Sequence, residues 1–126
     1  MGTYGESKIG LVRKVNEDSF YISHERNVLA VADGMGGYVG GEIASKTAVE
    51  AIAYYFKNFN YAAPVQLEKA IQYANSSIIS KTLIDPSLKG MGTTVSMVTL
   101  ARHMAFWGHV GDSRIYLYRE GAFSQI

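Results

Sequence analysis

The chain is 126 residues long, which suits one domain that buries about two-thirds of the surface of its unfolded form. Hydrophobic residues make up 48% and charged residues 18%, as in an ordinary globular protein. The net charge of +1 gives no basic field for nucleic acid or an anionic membrane, and the absence of cysteine excludes disulfides and thiolate chemistry.

The N-terminus carries no recognisable targeting signal. Residues 1–6 lack the basic stretch and apolar run of a secretory signal, and Glu6 stands where the myristoylation pattern requires Ser or Thr. No apolar stretch approaches the ~20 residues needed to span a bilayer. We therefore expect a cytoplasmic location, or a place on the cytoplasmic side of a larger protein.

A β-hairpin and a glycine loop are the first predicted elements. Apolar runs at residues 19–22 and 28–32 flank a polar turn at residues 24–27, the pattern of two paired strands. The glycine-dense cluster at residues 33–37 then predicts a loop.

Two helices are predicted next. The first should run from about residue 41 to residue 58, and Pro64 is well placed to open the second, which should run to about residue 83. Their apolar faces recur at helical spacing: Val49, Ile52, Phe56 and Phe59 in the first helix, and Leu67, Ile71, Ala74 and Ile78 in the second.

The C-terminal third is predicted to be β structure. Strand-like runs lie at residues 93–100, 104–110, 114–118 and 122–126, with hairpin turns at residues 102–103 and 120–121. The order of elements is strands, then two helices, then strands. This order favours an α+β fold, in which helices cover an antiparallel sheet, over a parallel α/β fold. The last run leaves backbone groups open, so we expect more chain to follow or a partner to cover this edge.

The strongest chemical signal is Asp33, a carboxylate at the end of an apolar strand before a run of glycines. A Walker A loop is excluded because Glu42 and Ile43 would take the Lys and Ser/Thr positions. A dinucleotide fingerprint fails at Val39, and an EF-hand lacks its alternating oxygen ligands. A carboxylate and a backbone carbonyl remain, which are hard ligands for Mg²⁺ or Mn²⁺. The alternative is a tight turn in which Asp33 binds its own backbone.

The segment from Arg13 to Asp18 gains meaning beside a metal loop. Glu17 and Asp18 can bind a metal or its waters, and Arg13 can hold a phosphate through two parallel hydrogen bonds. The alternative is a solvated turn.

A third segment, Gly111-Asp112-Ser113-Arg114, lies between two predicted strands. It places Asp112 near a metal, or it forms a type I turn with an Asp–Arg contact. The three histidines show no metal-ligand spacing, and we assign no role to His24, His103 or His109.

Together these segments resemble the metal-dependent protein phosphatases of type 2C. The matching stretches are residues 10–13 and 16–19, 31–37, 41–45, 90–94 and 111–114. Their order and rough spacing agree with the family over nearly the whole chain, and the Gly-Met-Gly-Gly variant most resembles bacterial members. The resemblance implies a β-sandwich of two antiparallel sheets flanked by helices, of which residues 1–126 are the N-terminal part of one catalytic domain.

The resemblance also implies roles for particular residues. Asp33 would bridge two Mg²⁺ or Mn²⁺ ions, and the Gly34 carbonyl would complete one of them. Glu17 would act on the second ion through water. Asp18 would support these ligands without binding an ion directly. Asp112 would help hold a third, weaker metal.

The implied reaction is hydrolysis of phosphoserine and phosphothreonine in proteins by a metal-activated water. Arg13 would bind the substrate phosphate, and a cognate kinase would be a further partner. Family members carry additional aspartates in a C-terminal portion, and no Asp-Gly or Asp-Asn motif follows Arg114. We therefore expect weak metal binding and poor turnover. Met35 replaces the histidine that many eukaryotic relatives use as a proton donor.

Two other functions stay open. One is a non-catalytic fragment that forms a homodimer, or binds a partner, through its open C-terminal strand. The other is a module that binds phosphoproteins without hydrolysis, although Arg13, Glu17 and Asp33 argue against it.

Overall fold

The structure is a computed structural model that describes residues 2–25, 27–58 and 63–126, with Tyr38 described by its backbone. The elements of these residues, in chain order, are β1 (Asp18–Ile22), β2 (Val28–Met35), α1 (Gly37–Asn58), α2 (Pro64–Ile84), a 3₁₀ turn (Pro86–Leu88), β3 (Gly92–Thr93), β4 (Val95–Ala101), β5 (Met104–Val110), β6 (Tyr116–Arg119) and β7 (Ala122–Gln125).

The strands form two antiparallel sheets. In the larger sheet the strands lie in the order β1-β2-β4-β5, and β3 pairs with the end of β2. The smaller sheet consists of β6 and β7. The α+β class and the antiparallel pairing predicted from the sequence are therefore confirmed.

Helices cover one face of the larger sheet. Since successive side chains of a strand point to opposite faces, Val28, Ala30 and Ala32 of β2 are buried under the helices. Val31 and Asp33 point to the other face and are exposed. The predicted acidic residue thus lies on the helix-free face of the sheet.

The apolar core lies between this sheet and the two helices. The predicted helix faces supply much of it: Val49, Ile52, Phe56, Leu67 and Ala74 are buried, and Ile71 and Ile78 pack against them. Fully burying one such Leu, Ile or Phe side chain is worth about 1.5–3 kcal/mol. Phe59, predicted for the same face, lies outside the described residues.

The helix bounds differ from the prediction by more than one residue only at the start of α1. It begins at Gly37 rather than near residue 41, while α2 begins at Pro64 as predicted and ends at Ile84. Within the described residues, neither helix combines the length and the apolar character that crossing a membrane would require.

The predicted loop over residues 33–37 is wrong except at Gly36: residues 33–35 are strand and Gly37 begins α1. Strand β2 continues to Met35, because Gly34 and Met35 pair with β3. Gly36, at φ 127°, is the one residue between this strand and α1. Glycine density predicted a loop, but the pairing with a distant strand decided the conformation.

The C-terminal strands follow the prediction with shifts of one or two residues. The bounds of β5 agree, and the run at residues 93–100 divides into β3 and β4. Both two-residue hairpin turns are confirmed, with positive φ at Arg102 (54°), Glu120 (52°) and Gly121 (78°). In the first hairpin, residue 26 of the predicted turn lies outside the described residues.

Candidate active site

Two aspartates face each other at one end of the larger sheet. Asp18 on β1 and Asp33 on β2 are direct cross-strand partners. Partial burial raises the pKa of Asp18, and so do the charge of Asp33 and a hydrogen bond with it, while the Arg13 guanidinium partly offsets the effect. Two carboxylates held side by side repel each other, and a bound cation would relieve that repulsion.

Two glycines make room for Glu17 beside this pair. The Gly34 N–H donates to the Glu17 carbonyl oxygen at 3.0 Å. A Cβ at Gly34 would lie 1.9 Å from the Gly41 carbonyl oxygen, and a Cβ at Gly41 would lie 2.7 Å from Glu17 Cδ. The end of β2, the first turns of α1 and the Glu17 carboxyl group can therefore pack together only because residues 34 and 41 are both glycine.

Arg13 pairs with Glu17 at the mouth of the site. Its Nη1 lies 3.3 Å from Glu17 Oε2, with side chains 72% and 21% exposed respectively. Such an exposed pair contributes at most about 1 kcal/mol. A stronger partner can therefore draw Arg13 away.

These residues line one small cavity of about 180 Å³. Its walls include Arg13, Glu17, Asp18 and Asp33. The sequence-predicted phosphate-binding and acidic residues are thus brought together, with Gly34 next to Asp33 on β2. The arrangement sets an acidic end of the cavity beside one exposed guanidinium.

Asp112 lies on a neighbouring turn and is exposed. It is not among the described residues that line the 180 Å³ cavity. The next residue, Ser113, lines an adjacent cavity of about 320 Å³ together with Asp18 and Asp33. The structure therefore brings the turn, rather than the Asp112 carboxylate itself, up to the acidic pair.

The alternative Asp–Arg contact in this turn is reduced to a weak charge interaction, the smallest of the effects that raise the pKa of Arg114. Arg114 donates from Nη1 to the Tyr116 hydroxyl at 3.4 Å and makes no ion pair with Asp112 in the described part of the chain.

Thr94 and Ser113 link this turn to the acidic strand, which the sequence did not reveal. The Asp33 N–H donates to Thr94 Oγ1 at 3.0 Å, and the Thr94 N–H donates to the Asp33 carbonyl oxygen at 2.9 Å. Thr94 Oγ1 lies 2.7 Å from Ser113 Oγ. Both residues stand in motifs that resembled the family, but a contact spanning 61 positions leaves no local pattern.

Asn16 orders the segment before β1. Its Oδ1 accepts from the Asp18 N–H at 3.0 Å, and its Nδ2 donates to Ser7 Oγ at 2.7 Å. These bonds position Glu17 and Asp18. An Asn that bonds the backbone two residues on is a turn pattern that the sequence could have suggested.

The donor set suits a hard divalent cation but is partial. Glu17, Asp18 and Asp33 supply carboxylate oxygens, the ligands that Mg²⁺ and Mn²⁺ prefer. Over residues 2–25, 27–58 and 63–126, no group of three or more His, Cys, Asp or Glu side chains is arranged to hold a metal ion. The repulsion of the aspartate pair and the 180 Å³ cavity that both aspartates line nevertheless fit a cation.

An antiparallel α+β domain with acidic strand ends beside an arginine is the architecture that the type 2C resemblance implied. Residues 11–126 match the family model described as protein phosphatase 2C, and the chain belongs to the protein phosphatase 2C family. The resemblance is thereby confirmed.

Curated relatives are bacterial serine/threonine phosphatases. The chain is 40% identical to serine/threonine protein phosphatase PstP of Mycobacterium tuberculosis strain H37Rv, over 93% of this chain and 23% of that protein. It is 32% identical to serine/threonine phosphatase stp of Listeria monocytogenes strain EGD-e, over 93% of this chain and 50% of that protein. The chain therefore spans half or less of the length of these relatives.

Solved structures of PstP share the fold. The M. tuberculosis serine/threonine phosphatase PstP/Ppp superposes with a TM-score of 0.89 at 39% identity, over 96% of this chain and 51% of that one. A structure of the PstP catalytic domain in complex with two manganese ions gives 0.87 at 39% identity, over 96% and 52%. The β-sandwich expectation agrees with this likeness for the part of the domain that the chain covers.

Proposed function

We propose that this chain is the N-terminal part of the catalytic domain of a metal-dependent phosphatase that hydrolyses phosphoserine and phosphothreonine in proteins. The observation that carries the proposal is the single cavity lined by Arg13, Glu17, Asp18 and Asp33. The family match and the two manganese ions of the PstP structure support it.

In this proposal the acidic residues hold divalent cations. Asp33 and Glu17 contribute carboxylate ligands, and the Gly34 carbonyl adds a further oxygen. Asp18 orients Asp33 and Glu17 without binding a cation itself. Asp112 holds an additional, weaker ion at the neighbouring turn. When bound, Mg²⁺ or Mn²⁺ would supply Lewis-acid polarisation of the phosphoryl oxygens and of the attacking water.

Arg13 has the separate role of binding the substrate phosphate. A guanidinium offers two parallel N–H donors that match two phosphate oxygens and stabilise charge that develops there. Arg13 must first leave Glu17, and the exposure of that ion pair makes the exchange inexpensive. Met35 carries no ionisable proton, so the proton for the departing serine or threonine oxygen comes from water.

The partial ligand set bears on what the chain does alone. Because the chain spans 50% of the Listeria phosphatase, and because its three carboxylates do not form a complete metal group within the described residues, we expect weak metal binding and slow turnover.

Calorimetric titration of the chain with Mn²⁺ tests the proposal directly. We expect measurable binding that Asp33→Asn abolishes and that Glu50→Gln, a matched change on the exposed side of α1, leaves intact. Hydrolysis of a phosphothreonine peptide by the Mn²⁺-loaded chain should likewise be lost in Asp33→Asn and retained in Glu50→Gln. Equal Mn²⁺ binding by wild type and Asp33→Asn would falsify the proposed site.

A second candidate function, self-association, rests on the β6–β7 sheet. All residues of these two short strands are exposed, including Tyr116 and Phe123, whose rings stack at 4.9 Å. An isolated two-stranded sheet is marginally stable in water, so pairing with a second copy would stabilise it. Light scattering across a dilution series decides this: a monomer at every concentration excludes the dimer.

A further inference from the structure

The His109 imidazole uses both of its ring nitrogens on the helix-free side of the sheet. Nδ1 lies 2.7 Å from Ser96 Oγ, and Nε2 lies 2.8 Å from the Gly111 carbonyl oxygen. A carbonyl oxygen can only accept, so Nε2 carries a hydrogen. In the neutral ring Nδ1 then accepts from the Ser96 hydroxyl, and the tautomer follows from its two partners.

Ser96 is well placed to hold this ring. It is the direct cross-strand partner of His109 in the β4–β5 pair, and it is 4% exposed. A buried hydroxyl needs a hydrogen-bond partner, and the ring provides it. The imidazole is therefore fixed at one nitrogen by a rigid strand.

The other nitrogen holds the start of the turn that carries Asp112. Gly111 has φ 105°, a conformation that favours glycine, and a Cβ there would lie 2.6 Å from Thr94 Cγ2. The turn thus packs closely against Thr94 while its first carbonyl is bonded to His109.

The far side of the same turn is tied to the acidic strand. Ser113 Oγ lies 2.7 Å from Thr94 Oγ1, which accepts from the Asp33 N–H at 3.0 Å. Asp112 therefore stands between two anchors, one through His109 to β5 and one through Ser113 and Thr94 to Asp33.

We infer that His109 is a positioning residue that sets where Asp112 lies relative to Asp33. It touches neither cation nor substrate in this inference and acts through the Gly111 carbonyl. Its effect on cation binding rests on the proposed function, whereas its effect on the turn does not. The competing explanation is that a strand histidine merely packs, in which case its replacements would affect stability alone.

The test uses the full 126-residue chain and two matched replacements. His109→Gln keeps an amide donor near the position of Nε2 and can still bond Gly111. His109→Asn places its amide near Nδ1 and cannot reach Gly111. Melting temperatures establish that both variants fold.

The first readout is made without metal, by amide proton–nitrogen NMR. We expect His109→Asn to shift the Asp112, Ser113 and Asp33 signals, and His109→Gln to leave them close to wild type. A long-range proton–nitrogen spectrum of the imidazole should show the Nε2–H form. This measurement needs only the wild-type chain. An Nδ1–H ring, or equal spectra for both variants in the turn, overturns the inference.

The second readout is Mn²⁺-induced broadening of the Asp112 and Ser113 amide signals. Loss of a group that orients a metal ligand typically costs about 10–100-fold in affinity, so His109→Asn should raise the required Mn²⁺ concentration about tenfold, and Asp112→Asn should do the same. His109→Gln should recover most of this loss. Unchanged broadening in His109→Asn overturns the inference. If Mn²⁺ broadens no signal near Asp33 in the wild type, the proposed function is wrong. The metal-free spectra then decide by themselves whether His109 positions the turn.

Discussion

Asp18 and Asp33 lie directly opposite each other on antiparallel strands, so the two aspartates of the site belong to one cross-strand pair. Like charges placed this way destabilise a sheet. The pair is therefore a local cost to folding in the absence of a cation, and it makes the stability of the chain depend on pH.

Replacing Asp18 by Asn should stabilise the metal-free chain near neutral pH. The pKa of Asp18 is raised in the fold, first by burial and then by Asp33, so the folded state favours the protonated acid. That favourable contribution is complete below the unfolded pKa of about 3.9 and is lost as the pH rises through the raised folded pKa. Asn never acquires the charge.

Urea unfolding in a chelator, at neutral and at acidic pH, measures this difference. The advantage of Asp18→Asn should shrink as the pH falls below the folded pKa of Asp18, and Glu50→Gln is the matched control for removing an exposed carboxylate. A variant that is less stable than wild type at neutral pH contradicts the prediction.

Replacing Gly34 by Ala should destabilise the fold more than most single substitutions. The added Cβ would lie 1.9 Å from the Gly41 carbonyl oxygen and 2.8 Å from the Glu17 carbonyl oxygen, both backbone atoms that cannot turn aside. Overpacking typically costs about 1–3 kcal/mol, and we expect the upper end of that range or beyond. Gly2→Ala, with no neighbour within 4 Å, is the control in thermal melts. Similar melting temperatures for the two variants would argue against this packing.

Replacing Arg13 by Lys should weaken phosphate binding and leave stability nearly unchanged. Lysine keeps the charge but cannot donate two parallel hydrogen bonds, whereas the exposed ion pair with Glu17 contributes at most about 1 kcal/mol to folding. Titration of the Mn²⁺-loaded chain with inorganic phosphate measures the first effect. The neighbouring exposed Lys14→Ala controls for the loss of a nearby cation, and an equal loss in both variants would remove the special role of Arg13.

The hydroxyl of Thr94 should matter more than its shape. Thr94→Ser retains an acceptor for the Asp33 N–H and a partner for Ser113, whereas Thr94→Val preserves the volume and removes both bonds. We expect Thr94→Val to cost about 1 kcal/mol per lost hydrogen bond and to weaken Mn²⁺ binding, and Thr94→Ser to cost less. Chemical denaturation and Mn²⁺ titration of the pair measure both effects; a Thr94→Val variant equal to Thr94→Ser in both assays contradicts the assignment.

Local chemistry explains which elements were predictable. Pro64 begins α2 because proline lacks the N–H that a first helical turn leaves unpaired, and Glu120-Gly121 forms a hairpin turn with both φ angles positive. The core positions Ile52 and Leu67 follow from helical periodicity. These signals are contained within a few neighbouring residues.

Motifs in the sequence indicated which residues would lie together, whereas contacts made only by strand pairing left no such signal. Arg13, Glu17 and Asp33 were singled out from three short segments, and they share a cavity. The loop predicted over residues 33–37 is mostly strand, because Asp33 pairs with Asp18 on β1 and the next two residues pair with β3. The roles proposed for these residues and for Asp112 stay predictions until the titrations are made.

By itself, the sequence determined the secondary structure of most of the chain, its α+β class and its phosphatase 2C resemblance, because turn chemistry, periodicity and short motifs are local properties. Only the tertiary structure decided that Asp18 faces Asp33, that Thr94 joins Asp33 to Ser113, and that His109 bonds the turn beside Asp112. These contacts depend on the register between strands and on the packing of turns that are far apart in the chain. No local pattern of residue types encodes the contacts between such distant turns.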